Sequence, residues 1–282
     1  MLKYLTAAIV LVGLMVGLAP GWWVKGHESI AEAAVARLPE DVPAFFRAGG
    51  KVIAHCAGEP DRWKNPAAKH LRAAEAPDHY IDLEDLQGQD LPADRYKAAS
   101  LIARLKQSPS RTGMLPYAIL ENYDRLSCAF KDYRDDPQNP AVQMKCLVYA
   151  GILAHYTGDA AMPLHTTRDY DGRRTPDGQF VQKGIHAKID AFPEKNNFSP
   201  EEICRGVEAH RIDDVWAHTI KVILESHSHV NTCYELDKRG AFDKPTDESR
   251  AFIMARCRVA AQFTVDLWYS AWLRSKTMPP HY

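Results

Sequence analysis

The chain has 282 residues, 46% of them hydrophobic, with 35 Lys and Arg against 36 Asp and Glu for a formal net charge of −1. That length allows one large domain or two small ones, and the apolar fraction is ample for a packed core. The near-neutral balance advertises neither a basic surface for nucleic acid nor an acidic disordered tail, and phosphates can still be bound where metal ions supply the positive charge.

Lys3, the apolar run Leu5 to Leu18 and the small-residue end Ala19-Pro20-Gly21 read as a secretory signal peptide over residues 1–21. The run of about 14 residues is short of the roughly 20 needed to span a bilayer, which disfavours the alternative of an uncleaved anchor. After cleavage the chain is expected in the periplasm or outside the cell. Apolar spacing then predicts helices. Ser29 to Leu38 is short and amphipathic, and Asp94 to Leu105 places Ala98, Leu101, Ile102 and Leu105 on one face. Met114 to Lys131 is next. Pro140 to Ala160 is apolar almost all round, the mark of a central buried helix. Pro200 to Ala209, Ile212 to Ser226 and a long helix from Asp247 to Arg274 complete the set.

Residues 131–140, 166–184 and 231–244 read as loops, the second with Asp171-Gly172 and Asp177-Gly178 turn signals. Val52-Ile53-Ala54 and Tyr80-Ile81 are too short to count as strands. The expected fold class is therefore all-α, a single domain from Trp22 to Tyr282. The six cysteines, Cys56, Cys128, Cys146, Cys204, Cys233 and Cys257, are an even number in an exported chain. They fit up to three disulfides, with 15 possible pairings. Cys146, inside an apolar stretch, also reads as a buried free thiol. The absence of a CxxC excludes a thiolate zinc knuckle.

The chemistry lies in His155-x3-Asp159-x5-His165 and His186-x3-Asp190. Residues four apart project from one helix face, and an imidazole beside a carboxylate on an otherwise apolar helix needs a reason to be buried. A single such pair reads as a structural hydrogen bond. Two pairs with an intervening histidine read as a metal site, and imidazole with carboxylate suits zinc. Trp22-x4-His27, Asp61 and His79 add further ligand types, too many for one tetrahedral ion.

These motifs resemble those of the zinc-dependent phospholipase C and single-strand-specific nuclease superfamily, over ligand positions from Trp22 to Asp190. The resemblance implies an all-α fold with three zinc ions at the bottom of a cleft. One ion would be held by Asp61, His79, His155 and Asp159. A second would take the Trp22 backbone amine and carbonyl, His27 and a bridging Asp159; a third would take His165, His186 and Asp190. Asp61 would also orient the attacking water, which zinc acidifies for in-line attack on phosphorus. The Trp22 amine exists only after cleavage, so signal removal would complete the paired site.

Tyr80 and Asp82, just after His79, match the aromatic and acid with which the family's nucleases stack and hydrogen-bond a base. A nuclease releasing 5′-phosphates from single-stranded DNA and RNA is the expected activity, with single-stranded nucleic acid as substrate and no stable protein partner. A phospholipase C acting on phosphatidylcholine-like lipids is the alternative. A non-enzymatic helical protein stapled by structural zinc is a third reading. Arg62 and Lys64 are candidates for phosphate contact or for solvated surface charge. Glu225 to His229 reads as a polar segment rather than a metal site.

Overall fold

Helical capping is written into the sequence, and the computed structural model, which describes residues 22–279, follows it. The signal peptide expected at 1–21 lies outside the described residues. Asp94 accepts from Lys97 N, Asp214 from Ala217 N, and Asn139 from Ala141 N just ahead of Pro140. Thr246 and Ser249 form a capping box. These caps start Arg95–Arg104, Val215–Ser228, the central helix Pro140–Ala161 and the C-terminal helix Asp247–Ser275. Leu115–Asp135 runs beside the central helix, and the fold is a single all-α domain.

One large apolar core joins the first helix, Val24–Val35, to the helix Gly50–Ala57, the central helix and the C-terminal helix. Gly151 marks the tightest approach. A Cβ there would lie 2.4 Å from Cys56 Cβ and 2.5 Å from the Ile53 carbonyl oxygen, so only glycine lets the central helix meet Gly50–Ala57 this closely. A smaller cluster of Leu86, Ala98, Ile102, Met114 and Tyr117 seats the helix Arg95–Arg104.

Several boundaries differ from the sequence expectation. The first helix begins at Val24, ahead of Ser29, and makes no side-chain cap; burial of His27, Ile30, Ala31 and Ala34 sets its start. Residues 231–244 are not all loop, because Val230–Lys238 is a helix that buries Cys233, Tyr234 and Leu236. The helix expected to reach Ala209 stops at Ile203, and Gly206 at φ +77° redirects the chain. Within 166–184, Arg173–Arg174 pairs antiparallel with Phe180–Val181 around the Asp177-Gly178 turn.

The disulfide expectation is corrected: all six cysteines are free. Cys56, Cys146, Cys233 and Cys257 are buried in the core as small apolar side chains, and the partner that Cys56 meets is Gly151 rather than another thiol. Among the described residues no helix is long and apolar enough to cross a membrane.

Candidate metal centre

Three groups of ligand-type side chains converge on the last turns of the central helix. They are His27 with His155 and Asp159; Asp61 with His79 and His155; and His165 with His186 and Asp190. Within each group the ligand atoms lie within 4.8 Å of one another. All eight side chains expected as ligands are thus brought together. The ninth expected ligand, Trp22, is buried, and its indole donates to the Gly158 carbonyl oxygen at 3.1 Å, beside the His27 ring.

Asp159 is the hub. Its carboxylate lies 3.0 Å from His79 Nδ1, 3.2 Å from His155 Nε2, 3.3 Å from His165 Nδ1 and 3.6 Å from His27 Nε2. His155 Nδ1 donates to the Ala57 carbonyl oxygen at 2.8 Å and His165 Nδ1 to that of His79 at 2.7 Å. These bonds hold both rings with Nε2 facing the cluster, the usual support for a metal-binding imidazole. The rings of His27 and His155 stack with centroids 4.0 Å apart.

The donor set fits a divalent ion. His155 Nε2 lies 2.9 Å from His79 Nδ1, and the Nε2 atoms of His165 and His186 are 3.0 Å apart. Two nitrogens at zinc distance in a tetrahedron would be about 3.3 Å apart. Several buried atoms make no hydrogen bond among the described residues: both ring nitrogens of His27, His79 Nε2, His186 Nδ1, Asp159 Oδ1, Asp61 Oδ2 and Asp190 Oδ1. Asp61 Oδ1 has the Lys64 ammonium beside it, and Asp190 Oδ2 has His186 Nε2 at 3.0 Å. Buried polar atoms left unpaired are costly, and eight groups converging on one place is the arrangement that a cation relieves.

Electrostatics point the same way. Burial, with His155 beside it, holds His27 well below the usual imidazole range; burial and the Lys64 charge bring His79 to about 3. His186 is brought to about 4 by burial, against the opposing pull of Asp171. These rings are neutral at physiological pH with lone pairs free to ligate. Burial raises Asp190 well above the carboxylate range, whereas burial opposes but His155 and His165 overcome it to hold Asp159 well below. With no cation beside it, burial favours the protonated form of Asp190.

Lys64 reaches this interior. Its ammonium lies 2.6 Å from Asp61 Oδ1 with the side chain 12% exposed, while Arg62 stays outside on Glu59. Of the two phosphate candidates, Lys64 alone faces the cluster.

The supports of the cluster were not legible as motifs. Arg256, buried on the C-terminal helix, donates to the Ala161 carbonyl oxygen at 2.9 Å and forks onto Glu225 at 2.6 and 2.7 Å. Ser226 donates to the Ala160 carbonyl oxygen at 2.6 Å. Together they satisfy the end of the central helix between Asp159 and His165. Glu225 therefore serves this anchor, in agreement with the non-metal reading of residues 225–229.

Tyr80 is partly buried, with its hydroxyl donating to the Ser110 carbonyl oxygen at 2.9 Å. The Asp82 amide donates to the Thr112 carbonyl oxygen at 2.6 Å. Burial, then Asp85 and Glu84, push the Asp82 carboxyl up to about 8. The folded state therefore keeps a proton that the unfolded chain releases near pH 4, and stability is lost as pH rises from there towards 8. Asp82→Asn is expected to raise Tm at pH 9 and to leave it nearly unchanged at pH 4; thermal melts at both values check this.

No protein-family model matches the chain, and no curated protein does. Among solved structures, alpha toxin from Clostridium absonum is similar at 13% identity and a TM-score of 0.45, over 89% of this chain and 63% of that one. The alpha-toxin of an avian strain of Clostridium perfringens is similar at 14% identity and a TM-score of 0.45, over 90% of this chain and 64% of that one. The chain spans less than two thirds of the length of either toxin.

Proposed function

We propose that this protein is an exported, zinc-dependent phosphodiesterase acting on single-stranded nucleic acid. The observation that carries the reading is the convergence of eight buried imidazole and carboxylate side chains with orphaned ligand atoms. Each of the three groups would hold one zinc ion; His155 stands in two of them, and Asp159 of the first lies 3.0 Å from His79 of the second. The Trp22 amine would be freed by cleavage after Gly21. Zinc bound there supplies Lewis-acid charge and acidified water.

The chain's own residues complete the chemistry. Asp61 orients the attacking water as a hydrogen-bond acceptor. Lys64 adds a fixed positive charge for the phosphate in a poorly hydrated place, where one charge counts for more than at the surface. Tyr80 and Asp82 follow His79 directly and take the unpaired base. An Asp82 carboxyl that keeps its proton donates and accepts at a base edge, and it offers no charge to a quaternary ammonium group.

The second reading is a phospholipase C acting on phosphatidylcholine-like lipids. A lipid substrate calls for apolar side chains exposed near the site, and Tyr170 and Phe180 on the 166–184 segment are 49% and 53% exposed. The test is zinc-loaded protein beginning at Trp22, given single-stranded DNA and phosphatidylcholine in parallel with a chelator control. Chelator-sensitive release of acid-soluble nucleotides without lipid turnover is the expected result. Lipid turnover alone would establish the second reading.

A further inference from the structure

Beside the third ligand group stands an aromatic side chain that the metal centre does not use. The Tyr170 ring is edge-on to His186, with centroids 5.7 Å apart at 77°. It is 49% exposed, and its hydroxyl makes no hydrogen bond among the described residues. Leaving a large ring half in water forgoes burial energy, and a free loop would fold it inward.

This loop is not free. The Tyr234 hydroxyl donates to the Asp169 carbonyl oxygen and accepts from Gly172 N at 3.0 Å, pinning the chain on both sides of Tyr170. The Arg173 guanidinium sits over the Tyr234 ring, 4.2 Å from its centroid. Glu84 accepts from Thr167 Oγ1 at 2.5 Å and Arg168 N at 3.1 Å, and Ile81 N donates to the His165 carbonyl oxygen at 2.9 Å. The segments carrying Tyr80 and Tyr170 are thereby stitched together.

We infer that Tyr170 is a specificity-determining residue, a rigid second platform on which an unpaired base stacks next to a phosphate held at His165, His186 and Asp190. This rests on the nuclease reading of the same site. A base on Tyr80 and its neighbour on Tyr170 would select a flexible single strand, because a duplex keeps its bases stacked on one another. The face of an aromatic ring accepts any base, so the platform adds affinity without sequence preference.

The test compares zinc-loaded wild type, Tyr170→Ala and Tyr170→Phe on oligothymidylate and on an abasic strand of equal length. Zinc content is measured for each protein. The expected result is a rise in KM of about tenfold for Tyr170→Ala on oligothymidylate, with kcat retained. KM on the abasic strand and zinc content stay unchanged, and Tyr170→Phe keeps the wild-type KM. An unchanged KM, an equal rise on both strands or a loss of zinc would overturn the inference, the last by making Tyr170 a support for His186. Wild type that leaves oligothymidylate intact would overturn the nuclease reading and the platform together.

Discussion

Asp159→Asn is expected to remove at least one zinc ion and to lower phosphodiesterase activity by more than about 100-fold, beyond the 10–100-fold typical of a lost supporting group. The substitution keeps the shape and removes the charge. Asp159 stands within 3.6 Å of imidazole nitrogens from His27, His79, His155 and His165, whereas Asp61 approaches those of His79 and His155 at 3.9 Å. Asparagine offers one neutral oxygen where the carboxylate offers a negative charge. Zinc counted by mass spectrometry, alongside turnover of single-stranded DNA, checks this. Full zinc content with full turnover would show that Asp159 only organises histidines.

Gly158→Ala is expected to act on the same place from the backbone. Its Cβ would fall 2.8 Å from His27 Nδ1 and 3.0 Å from His27 Cε1. That ring cannot swing away freely, because it stacks on His155 and is completely buried. Overpacking of this kind costs about 1–3 kcal/mol. The expected outcome is a lower Tm, loss of the ion held with His27, and retention of the ion at His165, His186 and Asp190. A zinc count equal to wild type would mean that His27 is not a ligand.

The fold was legible where periodicity and punctuation agreed. Pro140 with Asn139 before it, and Thr246 with Ser249 after it, mark helix starts from local chemistry alone. The start at Val24 and the helix Val230–Lys238 were not legible, since tertiary burial of His27 and Tyr234 decides them rather than caps. The even cysteine count misled because export permits disulfides without requiring them, and the packed core uses the thiols as small apolar groups.

The ligand side chains could be read because i, i+4 pairing on a helix is visible in one dimension. Their supports could not. Arg256 reaches Ala161, and Tyr234 reaches Asp169, across sequence separations that carry no local signal. Gly158 did carry one: a glycine inside His155-x3-Asp159 hints that another group presses against that turn. Lys64 lies three residues from Asp61, a spacing that puts both on one helical face, but only the structure separates it from Arg62.

The central claim is that three groups of buried side chains each hold a zinc ion. The most direct measurement is anomalous diffraction at the zinc edge from crystals of the chain beginning at Trp22. Three peaks are expected, one within bonding distance of each group. A single peak, or none, from protein that still cleaves phosphodiesters would contradict it.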